Sequence, residues 1–166
     1  MALVYLGLGS NEGDRLAFLT FGIENIKKEI GVIQKSSSIY QTAPWGFTSE
    51  NDFYNMVLAV KTELTIEKLF EACKHIEKNA GRKPILGETH FKNRPLDIDI
   101  LFYDSEIIDH QKIKIPHKEI EKRNFVLVPL HEIAPDFVHP ILNKKIKELL
   151  DDSQDKLAVL KIELPN

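Results

Sequence analysis

The run Leu96-Asp97-Ile98-Asp99-Ile100-Leu101-Phe102-Tyr103 sets two carboxylates at alternate positions of an otherwise apolar segment. Side chains alternate across a strand, so Asp97 and Asp99 share one face with Cα atoms about 6.6 Å apart, and Leu96, Ile98, Ile100 and Phe102 share the other. Two like charges at that separation repel by roughly 2.5 kcal/mol at an effective dielectric near 20. Asp is also a poor strand former. The pattern therefore predicts a neutralising partner, and Mg²⁺ suits, being typically held by one or two carboxylates plus substrate phosphates. An exposed edge with solvated acids or lysine ion pairs is the structural alternative, and the strand pattern alone leaves both open.

The loop leading into this strand carries Arg82, Lys83, Lys92 and Arg94. Lys and Arg together number 22, yet only Arg15, Arg82, Arg94 and Arg123 are Arg, the type suited to forked contact with phosphate. Acids flanked by cations are what phosphoryl-type transfer requires: metal to bridge phosphates, cations to take up developing charge, and a positioned nucleophile. Arg82, Arg94, Asp97 and Asp99 are accordingly the catalytic candidates. His117 sits near Lys112, Lys114 and Arg123 in sequence and is a candidate phosphate contact. Trp45, Phe47, Phe91 and Phe125 are aromatics in or near predicted loops, and Phe53 and Asn55 share a strand face; flat rings beside an amide can sandwich and hydrogen-bond a planar heterocycle. None of the six histidines makes a zinc spacing with another or with Cys73. Gly7-Leu8-Gly9-Ser10-Asn11-Glu12-Gly13 has glycine spacing one residue too long for the dinucleotide fingerprint, and no Gly-Lys-Ser/Thr phosphate loop occurs; the segment from Gly9 reads instead as a tight turn in which Asn11 is a candidate cap or ligand contact.

The elements that must position these groups follow from periodicity. Residues 3–8 read as a strand buried on both faces. Leu16, Leu19, Ile23, Ile26 and Ile30 form a helical stripe after Asp14, with Gly31 at the expected C-terminal cap. Residues 32–41 read as one strand, 42–51 as a loop and 53–62 as a third strand. Thr65 is the expected N-cap of a second helix carrying Ile66, Leu69, Phe70, Cys73, Ile76 and Ala80, with Gly81 closing it. Residues 82–95 form a second loop and 96–103 the fourth strand. The order βαββαβ predicts an α+β, ferredoxin-like fold, an antiparallel sheet with both helices on one face. Beyond it come a short hairpin over 107–115, short helices and loops over 116–140, a helix over 144–150 and a last strand over 157–164.

The chain has 166 residues, 43% of them apolar and 28% charged, which fits one folded domain, 1–166, with a core needing no disulfide. A net charge of −3 supplies no field for nucleic acid, so an anionic ligand must be held locally. A single Cys73 points to a reducing, cytoplasmic setting. No apolar run approaches membrane-spanning length, and the start of the chain lacks the features of a secretion signal. A monomer is expected.

Taken in order, several segments resemble the 6-hydroxymethyl-7,8-dihydropterin pyrophosphokinases of folate biosynthesis, over residues 3–140. They are Leu8-Gly9-Ser10-Asn11, Tyr40-Gln41-Thr42-Ala43-Pro44 with Asn55, Ile76-Glu77 with Gly81-Arg82, Arg94-Pro95-Leu96-Asp97-Ile98-Asp99-Ile100-Leu101, Pro116-His117 with Arg123-Asn124-Phe125-Val126-Leu127, and Pro129-Leu130-His131-Glu132-Ile133-Ala134-Pro135. The resemblance implies transfer of the β,γ-diphosphate of ATP to the pterin hydroxymethyl group with release of AMP. It implies two Mg²⁺ ions on Asp97 and Asp99. A pterin pocket of Thr42, Pro44, Trp45, Phe53, Asn55, Phe91 and Phe125 follows from it, as does an ATP site of Glu77, Arg82, Arg94, Ile100, Lys112, Lys114, His117 and Arg123. Two departures from the family pattern are Pro84 where a second arginine is common, with Lys83 beside it, and Phe91 where Trp is usual; both bear on loop closure and turnover. The tail beyond about residue 151 has no clear counterpart. A metal-dependent nucleotidyltransferase, which would release pyrophosphate, and a non-catalytic ligand-binding module are the competing readings.

Overall fold

The computed structural model describes residues 1–43, 51–81 and 95–163. Strand β1 (Ala2–Ser10) is central, paired antiparallel with β4 (Phe53–Thr62) on one side and with β5 (Asp97–Tyr103) on the other. Its near-continuous burial explains the unbroken apolar run. The six-stranded sheet continues from β4 to β3 (Tyr40–Thr42) and β8 (Val159–Lys161), in the order β5-β1-β4-β3-β8, with β2 (Gly31–Ser36) also on β4. The two central helices lie on one face, as the βαββαβ pattern requires. Asp14 caps α1 (Arg15–Glu29) by accepting the Ala17 N–H at 3.0 Å, and Thr65 caps α2 (Ile66–Asn79) by accepting the Lys68 N–H at 3.3 Å. Residues of α1, α2 and the even-numbered positions of β1 form one core. None of the helices among the described residues is long and apolar enough to cross a membrane.

Four expectations are corrected. The single strand over 32–41 is two: β2 (Gly31–Ser36) and β3 (Tyr40–Thr42). The break comes at Ser37, whose Oγ accepts the Val57 N–H at 2.9 Å, so a side chain stands in for one rung of the ladder. Leu16 is exposed, and the position α1 presses on the sheet is Gly22, where an added Cβ would sit 3.2 Å from Leu8 and Leu96. Gly31 is not a helix cap. Ile30 closes α1, and Gly31 starts β2 because its backbone lies against the Lys61 carbonyl, where any Cβ would collide. Phe102 changes faces: the β1–β5 register shifts between Tyr5 and Leu6, leaving Leu101 as an extra residue. After this bulge Phe102 points with Leu101 into the second core rather than with Ile100.

That second core covers the other sheet face with α3 (Asn124–Ile133) and the short α4 (Ile146–Asp151), around Tyr5, Val57, Ala59, Leu101 and Phe102. The expected hairpin is present as β6 (Ile108–His110) and β7 (Ile113–Ile115), and the final strand as β8 (Val159–Lys161), which extends the sheet beside β3. Gly81, with φ +107°, closes α2 as the sequence implied. Because Gly31 has no room for a side chain, Gly31→Ala should lower the unfolding free energy by about 1–3 kcal/mol in urea titration, the usual cost of forcing atoms into a filled site.

Candidate active site

Asp97 and Asp99 stand on the second face of β5, opposite Gly9 and Gly7 of β1. Gly9 is in turn paired with Asn55 of β4, and Asn55 with Tyr40 of β3. One cross-strand row therefore reads Asp97, Gly9, Asn55, Tyr40, at the end of the sheet that the second core leaves free. A Cβ at Gly9 would come within 2.8 Å of Asn55 Oδ1, so a side chain there would push the amide aside, whereas the Phe53 ring at 3.5 Å would be in ordinary contact. Asn55 is buried and donates to Thr42 Oγ1 at 2.9 Å, which fixes its orientation.

The acids are served from both sides. His117 Nε2 lies 3.7 Å from Asp99 Oδ1, and the His117 backbone N–H donates to the Leu101 carbonyl at 3.0 Å, attaching the segment after β7 to the edge of β5. Burial pushes the imidazole pKa below its ordinary value, and nearby Arg123 lowers it further, against the upward pull of the Lys118 carbonyl and of Asp97. The ring is thus neutral at pH 7. Arg123 precedes α3, donates to Glu119 at 3.0 Å and has its guanidinium 5.9 Å from the Phe125 ring centroid. Phe125 packs against the second core.

Glu77 enters from the opposite layer. It is 1% exposed on α2, and its Oε2 accepts the Ile98 N–H at 2.8 Å while Oε1 lies 3.3 Å from Lys74 Nζ. β5 is an edge strand, so this carboxylate supplies the acceptor that a neighbouring strand would have given and fixes the backbone between the two acids. Ile100 is buried in the first core, so its backbone rather than its side chain is what it can offer a ligand. Lys112 and Lys114 are exposed on the β6–β7 hairpin, Lys114 opposite Asp109.

The structure thus brings Thr42, Phe53, Asn55, Asp97, Asp99, His117, Arg123 and Phe125 to one end of one sheet face. Pro44, Trp45, Arg82, Phe91 and Arg94 lie outside the described residues, as do Lys83 and Pro84. Two contributors were not assigned to the site in the sequence reading. Gly9 is one: it was expected in a tight turn, but β1 runs on through Ser10 and sets it opposite Asp97, and alternation in Gly7-Leu8-Gly9 against Asp97 and Asp99 was the signal for it. The other is Glu132 on α3, which accepts from Tyr40 Oη at 2.6 Å and from Ser38 N–H and Oγ, tying the helix to β3. Burial pulls the Glu132 pKa up, but these hydrogen bonds outweigh it and leave it below the ordinary carboxylate value; burial and the Glu132 charge push the Tyr40 phenol up to about 12.

Among the described residues no cluster of three or more His, Cys, Asp and Glu side chains forms a metal site. The oxygen donors of this site are two carboxylates on one face, a set suited to a hard divalent ion whose remaining oxygens come from water and phosphate.

The chain is similar to known proteins in sequence and in fold. Residues 5–135 match the family described as 7,8-dihydro-6-hydroxymethylpterin-pyrophosphokinase. A 2-amino-4-hydroxy-6-hydroxymethyldihydropteridine pyrophosphokinase of Aquifex aeolicus is 42% identical over 98% of this chain and 100% of its own length. One of Methylorubrum extorquens is 41% identical over 83% of this chain and 86% of its own. Among solved structures, a Plasmodium falciparum HPPK-DHPS with pteroate superposes with a TM-score of 0.74 at 17% identity, which speaks to the fold. It covers 90% of this chain, and this chain spans 42% of that longer one. With the motif residues gathered on a sheet of the matching fold, this chain belongs to the 7,8-dihydro-6-hydroxymethylpterin-pyrophosphokinase family and is an enzyme of the diphosphotransferase class.

Proposed function

We propose that the protein transfers diphosphate from ATP to 6-hydroxymethyl-7,8-dihydropterin, yielding AMP and the pterin diphosphate, as a Mg²⁺-dependent cytoplasmic step of folate synthesis. The observation that carries this reading is the cross-strand row in which Asp97 and Asp99 face glycines beside the oriented Asn55–Thr42 pair. It supports the reading by putting two carboxylates, suited to phosphate-bound cations, beside an oriented amide suited to the edge of a planar ring.

Asn55, held by Thr42, presents an amide to the pterin edge, and Phe53 and Phe125 supply flat apolar surface for its ring. Asp97 and Asp99 would hold two Mg²⁺ ions. When bound, those ions neutralise triphosphate charge and polarise the transferred group. His117 borders Asp99, and Arg123 lies near enough to His117 to lower its pKa; both are candidates to take phosphate oxygens, with the exposed Lys112 and Lys114 on the hairpin and Glu77 fixing the strand from behind. Arg82 and Arg94 join them by resemblance as cations for transition-state charge. Holding the hydroxymethyl oxygen in line with the β-phosphorus converts an intermolecular attack into one between fixed partners, worth several kcal/mol of the barrier. The hydroxyl proton leaves during attack, and Asp97 is a carboxylate at hand to accept it.

Incubation with ATP, Mg²⁺ and the pterin should give AMP by mass analysis; pyrophosphate as the small product would instead support nucleotidyl transfer. Asp97→Asn should cut turnover by roughly 10²- to 10³-fold, the several kcal/mol expected of a lost metal ligand, and should abolish the rise in melting temperature that Mg-ATP gives the parent protein.

A further inference from the structure

The C-terminal tail reaches both walls of the proposed pocket within five residues. At one end, Asp155 Oδ2 accepts the Asn124 N–H at 2.8 Å, and the Asn124 amide donates back to the Asp155 carbonyl at 3.4 Å. Arg123, the N-cap position of α3, makes no side-chain cap bond of its own. Asp155 therefore caps this helix from 31 residues away, a carboxylate at the positive end of the helix dipole. Its other oxygen accepts the Leu157 N–H at 3.0 Å, and its own N–H donates to Ser153 Oγ at 3.2 Å, so the cap is held in a tight local turn. At the other end, Val159 pairs with Thr42 and Lys161 with Tyr40, and the Ile162 N–H donates to the Ile39 carbonyl at 2.9 Å.

The helix turn so capped carries Arg123 and Phe125, and the strand so paired carries Thr42. Four residue steps from Asp155 to Val159 span at most about 14 Å, so the tail limits how far the two walls can separate while both of its contacts hold. We propose that Asp155 is a positioning residue for the substrate pocket, its cap fixing Arg123 and Phe125 relative to the Thr42 strand; this rests on the functional reading above. Without the cap, the first turn of α3 frays, and substrate binding must restore its order before the contacts form. Asp97 and Asp99, on β5, are unaffected.

The test compares the full-length parent, Asp155→Ala and Asp155→Asn, assayed with ATP, Mg²⁺ and the pterin well below each melting temperature. Asp155→Ala should raise the KM for the pterin and for ATP by roughly three- to ten-fold, the scale of a lost cap, with a smaller change in kcat. Asp155→Asn keeps an acceptor and should restore KM to near the parent value. A merely structural role would reduce the folded fraction, lowering kcat at constant KM, and that result overturns the proposal. Unchanged KM in a folded Asp155→Ala overturns it equally. Amide hydrogen exchange at Asn124 and Phe125 separates this from failure of the functional reading: if the parent transfers no diphosphate, faster exchange in Asp155→Ala still upholds the cap, and unchanged exchange refutes it.

Discussion

Two carboxylates on one face of an edge strand repel each other and leave half their backbone polar groups without a strand to pair with. Much of the surrounding structure answers that one electrostatic constraint. Gly7 and Gly9 of β1 oppose the acids and carry no side chain of their own; the Asn55 amide and the Phe53 ring close over Gly9, and Leu101 lies beside Gly7. Glu77 crosses from the helical layer to accept the Ile98 N–H, and the chain after β7 donates from His117 to the Leu101 carbonyl. Between them these bonds fix the outer edge of β5 without a further strand, and a buried carboxylate is tolerated because hydrogen bonding offsets its desolvation.

The bulge at Leu101 belongs to the same arrangement. It lets β5 present carboxylates to the open end of the second face and then turn both Leu101 and Phe102 into the core beneath α3. One short strand thereby serves a polar site and an apolar core on the same side of the sheet. The Glu132 bonds to Tyr40 and Ser38 perform the matching task for β3, locking α3 to the strand that carries Thr42. The tail adds the Asp155 cap and the β8 pairing. The strands and helix that carry the candidate site are therefore held by contacts among segments far apart in sequence, while its polar groups stay at the sheet end.

The βαββαβ order, the Asp14 and Thr65 caps, the β4 boundaries and the shared face of Asp97 and Asp99 were all legible in the sequence. Each depends on local preferences or on period-2 and period-3.6 alternation, which neighbouring residues carry by themselves. The family motifs that suggested candidate site residues were legible for the same reason, being short and contiguous. Tertiary structure alone decided the bulge that turned Phe102, the split of β2 from β3 at Ser37, the burial of Gly31 against Lys61, the reach of Glu77 to Ile98 and the cap that Asp155 gives α3. Every one of these is a pairing between residues distant in the chain, fixed by packing density and by the need of buried polar groups for partners, and no local pattern encodes which partner will arrive.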